Sequence, residues 1–276
     1  MNTSMFVSAH SVPISSVSTT DEPRLPGDLP LWEVPGWRER FGVIAGITGR
    51  GDNPAEPFDL GLWGSSPSGV VMARWRRFLA TFPNCPAATI AHQVHGDRVL
   101  WHEGAAPGWT IIEGADGHAT RTAGRLLLVT AADCVPVYLI APAKQAIALL
   151  HAGWRGAAAG ILDRGVELLS RRTGASPQEL VCHAGVAISG PRYQVGREVM
   201  LGVGREAAGA GPWQLDIRSV IAEQAAALGV GEVTVSGRCS ARDRGDFFSY
   251  RASGGADGRM VAYLGLPRPA ESSGTP

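Results

Sequence analysis

The sequence predicts a single-domain α+β fold in which mixed β-sheets are sandwiched between helices, in an α/β/β/α-like order. Predicted strands come in runs and do not alternate strictly with helices, which favours this class over a doubly wound sheet. No linker rich in Pro, Gly or Ser interrupts residues 41–265, which favours one domain. With 276 residues, of which 45% are apolar and 18% charged, the chain can bury a substantial core.

The order of elements follows from local patterns. Apolar runs predict strands at residues 41–48, 88–94, 98–102, 125–130, 135–140, 145–151, 180–188, 232–236 and 260–264. Helical spacing of large side chains predicts helices at residues 68–81, 157–172, 191–208 and 217–228. The helix over 157–172 has the clearest pattern, because apolar residues such as Val166 and Leu169 alternate with charged ones and Gly174 follows as a stop.

Both ends of the chain differ in composition from this domain. Residues 1–30 are rich in Ser, Thr and Pro and lack apolar periodicity, so we predict a disordered N-terminal arm. The arm has no basic start followed by an apolar stretch, so no secretory signal is expected. The similar composition of residues 267–276 predicts a disordered C-terminal tail. The predicted domain therefore comprises residues 31–266.

Charge, hydropathy and cysteine usage exclude several classes of protein. Lys plus Arg and Asp plus Glu number 25 each, which gives no overall attraction to nucleic acid or to an anionic membrane. No apolar run approaches the ~18 residues of a membrane span. The four cysteines form no CxxC pair, and without an export signal this favours a reducing cytoplasm. The oligomeric state stays open.

Three short segments carry side chains suited to a metal ion. They contain His95, Cys134 and His151, each beside Gly or small residues in a predicted loop or strand end. Strand ends can bring such residues together, and three protein ligands leave a fourth position for water or substrate, as in catalytic zinc sites. The residues alone leave two alternatives: a buried Cys with two hydrogen-bonded His, and a Cys134 nucleophile with a His base.

A set of ordered motifs carries a family resemblance. The motifs are QVHGDRV (93–99), GADG (114–117), ADCVPV (132–137), HAGWRG (151–156), GPRYQVG (190–196), QLDI (214–217) and FFSYR (247–251). Together they resemble the polyphenol oxidase (laccase-domain) family, also called the peptidoglycan editing factor family and related to purine nucleoside phosphorylases. The resemblance implies a mixed-sheet α/β sandwich with one zinc site made by His95, Cys134 and His151. It also implies phosphorolysis of adenosine, inosine and methylthioadenosine, and deamination of adenosine.

The family's older label is copper-dependent phenol oxidation, which the number of histidines tests. A multicopper oxidase needs roughly ten His for its one-copper and three-copper sites, whereas the chain has seven. A single copper ion at the zinc site could still give weak phenol oxidation, because copper outcompetes zinc at nitrogen and sulfur ligands. The resemblance thus implies Zn²⁺ as the cofactor, and copper is expected only as a substitute at the same site.

Two residues beside the ligands are candidates for catalysis. Asp133, next to Cys134, is expected to carry a proton; its alternative role is to cap a loop or orient His95. Arg155, four residues after His151, is expected to bind phosphate, because a guanidinium matches phosphate bidentately; its alternative role is a salt bridge. Trp154 and Tyr193 could stack on a purine or pack in the core.

The sequence as a whole favours a zinc-dependent purine nucleoside phosphorylase whose partners are a nucleoside and phosphate. One alternative, suggested by the second family name, is a hydrolase of an amide bond in a peptidoglycan precursor, with Cys134 as nucleophile or with a hydrolytic zinc. Another is a nucleotide-sensing module that binds without turnover, because fold and function are separable.

Overall fold

The structure is a computed structural model that describes residues 17–269. Its strands are β1 (Ser18–Thr20), β2 (Leu31–Glu33), β3 (Ile44–Thr48), β4 (Ala87–His92), β5 (Val99–His102), β6 (Gly108–Glu113), β7 (Gly117–Thr120), β8 (Arg125–Ala131), β9 (Val135–Ala141), β10 (Ala146–Ala152), β11 (Val181–Ala184), β12 (Gln194–Val195), β13 (Trp213–Gln214), β14 (Glu232–Ser236) and β15 (Met260–Leu266). Its α-helices are α1 (Trp37–Phe41), α2 (Ser68–Ala80), α3 (Trp154–Ala159), α4 (Ile161–Thr173), α5 (Arg197–Gly202), α6 (Ile217–Ala227) and α7 (Tyr250–Ser253).

Two mixed sheets form the centre of the fold. The first sheet has the strand order β1-β14-β11-β9-β10-β7-β5, and the second has the order β2-β3-β15-β8-β4-β6. Antiparallel pairs such as β9 with β10 and β8 with β15 lie beside parallel pairs such as β11 with β14. The short strands β12 and β13 pair with each other outside these sheets.

The period-2 pattern of the strands explains how the layers pack. In β8, Leu127 and Val129 face the first sheet, whereas Leu126 and Leu128 face helix α2. Helices α4 and α6 cover the outer face of the first sheet. Burying one Leu or Ile side chain in these layers contributes about 1.5–3 kcal/mol. The predicted α+β single domain, with its α/β/β/α order, is confirmed.

Glycines account for two wrong helix predictions. The helix predicted over 157–172 is two helices, α3 and α4, because Gly160 adopts a left-handed φ of 83° between them. The helix predicted over 191–208 is reduced to α5, since the chain turns at Gly190–Arg192 and at Gly204, which has a φ of 73°.

Two predicted strands are shorter in the structure. The strand predicted over 41–48 begins only at Ile44, because helix α1 occupies the preceding residues and ends at left-handed Gly42. The strand predicted over 180–188 is limited to β11.

The predicted disordered arm is wrong for residues 17–30. Strand β1 pairs in parallel with β14, and the following Glu22 is 1% exposed. Its carboxylate lies 3.0 Å from Nε2 of His183 and accepts a hydrogen bond from Ser236. The polar composition gave a wrong prediction because a Ser/Thr segment can pair its backbone hydrogen-bonding groups with the edge strand of an existing sheet. Residues 1–16 lie outside the described residues.

The predicted tail is held to the domain at its start. The backbone N–H of Arg268 donates to the Asn84 carbonyl, and its guanidinium donates to that of Ala105. Residues 270–276 lie outside the described part of the chain. Between residues 17 and 269, no helix combines the length and apolar character that a membrane crossing requires.

Candidate metal centre and active site

The three predicted ligand residues converge where the two sheets meet. His95 follows β4 of the second sheet, Cys134 lies in the link from β8 to β9, and His151 is part of β10 in the first sheet. Their ligand atoms all lie within 4.8 Å of one another. The fold therefore joins three segments that are separated in sequence.

The surroundings of this cluster fit a metal ion. Two imidazoles and one thiolate are a donor set that both zinc and copper accept. Gly153 leaves room for it: a Cβ atom there would lie 3.0 Å from Sγ of Cys134 and 3.1 Å from Cδ2 of His95. Within residues 17–269 this is the only group of three or more His, Cys, Asp or Glu residues arranged to hold an ion.

Asp116 organises the cluster, although the sequence alone predicts no role for this residue. It is fully buried and lies 2.9 Å from Nδ1 of His151, which leaves Nε2 of that ring for a metal. The same carboxylate accepts hydrogen bonds from the backbone N–H groups of Val94, His95 and Gly96. The only signal in the sequence is the GADG motif, which contains this residue.

One residue of the cluster and one beside it have a left-handed backbone that non-glycine residues rarely adopt. His95 has a φ of 60° and Asp133 a φ of 90°. Such conformations cost about 1–3 kcal/mol each and persist where neighbours hold them. Asp116 holds the first through three N–H groups, and the Asp133 carboxylate itself accepts hydrogen bonds from Ser240 Oγ and Arg251 N.

Charges in the cluster favour the form of cysteine that binds metals. Burial would raise the pKa of the Cys134 thiol, but the charges and hydrogen bonds of His151 and His95 lower it overall. Burial would likewise lower the pKa of His151, but the Cys134 thiolate and Asp116 raise it. The cluster without metal thus favours a thiolate beside an imidazolium, and the thiolate is both a ligand and a nucleophile.

The cluster opens into a cavity of about 940 Å³, at the upper end of the range for small-molecule sites. Its walls carry the arginines Arg50, Arg155, Arg251 and Arg259. Arg50 forms an ion pair with Asp257, and Arg251 donates to the carbonyl of Gln194. Arg155 is exposed and has no ion-pair partner among the described residues, so the alternative of a structural salt bridge is wrong within that range.

Trp154 and Tyr193 both line the cavity, but neighbours already use their rings. The Arg155 guanidinium lies 4.5 Å from the Trp154 ring, and that ring also packs against Gly202. The Arg251 guanidinium lies 5.0 Å from the Tyr193 ring. Both aromatic residues also pack against the core under the first sheet.

Comparison with known proteins identifies the family. The model of the family described as multi-copper polyphenol oxidoreductase laccase matches residues 41–267. The chain belongs to this family. The family resemblance predicted from the motifs is therefore confirmed.

Relatives of this laccase family agree with the match over most of the chain. A purine nucleoside phosphorylase of Deinococcus radiodurans is 39% identical over 185 residues, which cover 64% of this chain and 69% of the relative. The purine nucleoside phosphorylase YfiH of Escherichia coli is 31% identical over 247 residues, covering 84% of this chain and 98% of the relative.

Solved structures share the laccase-family fold. The crystal structure of YlmD from Geobacillus stearothermophilus has a TM-score of 0.79 and 28% identity, covering 90% of this chain and 100% of that one. The Bacillus licheniformis hypothetical protein YfiH has a TM-score of 0.79 and 25% identity, covering 88% and 98% of the two chains.

Proposed function

We propose that this protein is a zinc-dependent purine nucleoside phosphorylase. Its substrates are adenosine, inosine and methylthioadenosine, and adenosine deamination is a second activity. One observation carries the proposal: the His95–Cys134–His151 cluster shares a cavity with Arg155, a cation without an ion-pair partner among the described residues. Relatives named as purine nucleoside phosphorylases, 39% and 31% identical, support the reaction class.

Arg155 is proposed to bind the attacking phosphate. In phosphorolysis, a phosphate oxygen forms a bond to C1′ of the ribose while the bond from C1′ to the purine nitrogen breaks. A guanidinium can hold two phosphate oxygens at once and fix the direction of that attack. A bound zinc ion would supply Lewis-acid chemistry, polarising a substrate oxygen or a water molecule.

Asp133 is proposed to carry the proton that the departing purine or ammonia needs. Its carboxylate lines the cavity and accepts two hydrogen bonds, whereas an ionised carboxylate offers about four lone-pair positions. The remaining positions leave it capacity for a proton. The same two hydrogen bonds also support the alternative that Asp133 caps its loop. The mutational test of Asp133 must therefore distinguish proton transfer from loop capping.

The test combines metal analysis with a phosphate-dependent assay. Elemental analysis is expected to give about one zinc per chain, and adenosine should release adenine and ribose-1-phosphate only when phosphate is present. Cys134→Ala should lose both zinc and turnover. Cys182→Ala is a matched control, since Cys182 is a fully buried free cysteine outside the cluster. Activity in metal-free protein, or adenine release without phosphate, would contradict the proposal.

A second candidate function is hydrolysis of an amide in a cell-wall precursor. The observation that favours it is the lowered pKa of the Cys134 thiol beside His151, which is the arrangement of a nucleophile and its base. This hypothesis requires amide cleavage by the metal-free protein and no reaction with adenosine.

Phenol oxidation, the other alternative for the same metal site, is assayed in parallel after the protein is loaded with copper. The cysteines of the described chain are free, which is consistent with a cytoplasmic location.

A further inference from the structure

We infer that the purine ring of the substrate stacks on the open face of Trp63. This inference rests on the proposed function, because it assigns the place of the nucleobase in the same cavity. It goes beyond that function by naming the residue that recognises the base. It also predicts which chemical feature of the base is recognised.

Trp63 is a large aromatic side chain that remains 48% exposed although it lines the cavity. One of its faces is covered by the ring of His92, with a centroid distance of 4.7 Å and an interplanar angle of 31°. An indole supported in this way presents its other face as a flat apolar surface. Such surfaces bind nucleobases by stacking.

The other aromatic residues on the cavity wall are less suited to this role. Arginine guanidinium groups lie over the rings of all four of them, namely Trp154, Tyr193, Phe248 and Tyr250. Among the described residues, none lies over Trp63. A base that stacks on Trp63 therefore displaces no existing cation–π contact.

The loop that carries Trp63 is held by one buried carboxylate. Asp59, 6% exposed, accepts hydrogen bonds from the backbone N–H groups of Gly61 and Arg259, at 2.8 Å and 2.7 Å. Its second oxygen accepts a hydrogen bond from Ser66, at 2.7 Å. The loop is thus closed on both sides of Trp63 and tied to the neighbouring cavity segment that contains Arg259. A ring on such a loop is positioned before the ligand arrives.

The positions of His92 and His95 in the sequence limit how far Trp63 can lie from the metal ligands. His92, which supports the indole, and His95, a metal ligand, are three residues apart and so lie within about 10 Å of each other. This upper limit on the distance between their Cα atoms keeps Trp63 and its supporting His92 in the same part of the cavity as the cluster. A base on Trp63 would direct the ribose towards the cluster and Arg155, where phosphate is proposed to bind.

Stacking recognises the aromatic face of a base and not its substituents. Adenosine, inosine and methylthioadenosine share the purine face and differ at the 6-position or the 5′-position. We therefore expect the contribution of Trp63 to be similar for all three. This separates base recognition from the step that distinguishes a 6-amino from a 6-oxo group.

The experiment measures binding of adenine and inosine by isothermal titration calorimetry on the zinc-loaded full chain; phosphate is left out, and inosine has no 6-amino group, so the nucleoside is neither cleaved nor deaminated. Loss of one stacking contact corresponds to roughly a 5- to 150-fold weaker Kd, and this is expected for Trp63→Ala with both ligands. Trp63→Phe keeps an aromatic face and should recover most of the affinity. The KM for phosphate, measured in turnover, should stay within about twofold, because the phosphate site is separate.

Tyr250→Ala is the matched control, since Tyr250 is 53% exposed and lines the same cavity. It should leave both Kd values nearly unchanged, and circular dichroism and zinc content should report intact folding in every variant. Unchanged affinity in Trp63→Ala, or a wild-type protein that binds no purine, would overturn the inference. Purine binding that depends on Trp63 without phosphorolysis would refute the proposed function and leave this site standing.

Discussion

The carboxylate of Asp116 lies 2.9 Å from Nδ1 of His151 while it accepts three backbone hydrogen bonds from the loop that carries His95. One buried side chain therefore positions two of the three candidate metal ligands. It orients the His151 ring directly, and it holds His95 in its left-handed backbone conformation.

Asp116→Asn is expected to weaken zinc binding by about 10- to 100-fold, the usual effect of losing a partner of a metal-bound His. The amide cannot replace the carboxylate, because its NH₂ group would face backbone N–H donors. Competition with a chromogenic chelator measures the affinity. The control is Asp97→Asn, which changes an exposed carboxylate paired with Arg164. Equal zinc affinity in Asp116→Asn and wild type would contradict this role.

Residue type explains which parts of the site the sequence predicted. Imidazole and thiolate side chains beside small residues make His95, Cys134 and His151 candidate ligands, and the family motifs favour this role over a buried Cys or a nucleophile. Asp116 was missed, because a carboxylate in a loop is common and its partners lie about 20 and 35 positions away. Only the pairing of β7 with β10 brings it to His151. Breaks such as the one at Gly160 depend on a single φ angle that periodicity does not report.

Arg155→Ala is expected to raise the KM for phosphate by roughly 10- to 100-fold, the range for one hydrogen-bonded charge. The KM for nucleoside should change little, because Trp63 and not Arg155 is proposed to hold the base. Initial rates with phosphate and nucleoside varied separately give both constants. Arg164→Ala, an exposed and ion-paired control, should match wild type. A rise confined to the nucleoside KM would refute the assignment of Arg155.

Asp133→Asn is expected to keep zinc and lose turnover, because an amide cannot carry the proton. Ser240→Ala is the paired variant, since it removes one hydrogen bond to the same carboxylate and keeps the acid. If Asp133 only caps its loop, both variants should show a similar small loss of thermal stability and retain activity. Stopped assays of adenine and ammonia release, together with elemental analysis, distinguish these outcomes.

Asp59 provides a test of the loop that carries Trp63. Asp59→Asn should cost less than about 1 kcal/mol of unfolding free energy, because its carbonyl can accept from the two N–H groups and its NH₂ can donate to Ser66. Asp59→Ala leaves these groups unpaired and should cost about 2–3 kcal/mol. Urea denaturation measures both. Equal stability of the two variants would show that these hydrogen bonds do not hold the loop.

A pair of histidines, the buried His118 and the half-buried His102, should make the protein sensitive to mild acid. Burial, with the charges of His102 and Arg125, lowers the pKa of His118 from 6.5 to about 3, and burial lowers that of His102 to about 4. Because the unfolded chain takes up these protons first, stability is complete above about pH 6.5 and falls as the pH decreases towards 4. At pH 5, His118 alone accounts for a loss of about 2 kcal/mol.

The melting temperature measured from about pH 7.5 to about pH 4.5 tests this dependence. Nε2 of His118 has no hydrogen-bond partner among the described residues, and Nδ1 lies 2.9 Å from Nε2 of His102, so His118→Leu removes the titrating group together with that one hydrogen bond. This variant should show a shallower fall on the acid side than wild type. His92→Leu, which changes a more exposed histidine, is the control and should keep the wild-type slope. If the melting temperature of His118→Leu falls with decreasing pH as steeply as that of wild type, the histidine pair is not the cause of the acid sensitivity.

The candidate metal ligands His95, Cys134 and His151 and the outer wall of the cavity come from different parts of the chain. The former lie at the ends of central strands, whereas much of the wall comes from the segments 59–66 and 248–259. Mutation in segment 59–66 can therefore reshape the wall without changing the residues of the cluster, whereas segment 248–259 is tied to Asp133 through the backbone N–H of Arg251. Descendants of one ancestral protein could diverge in what they consume while inheriting the same chemistry. Changes in substrate preference and changes in the catalysed reaction would then arise from mutations in different segments of the chain.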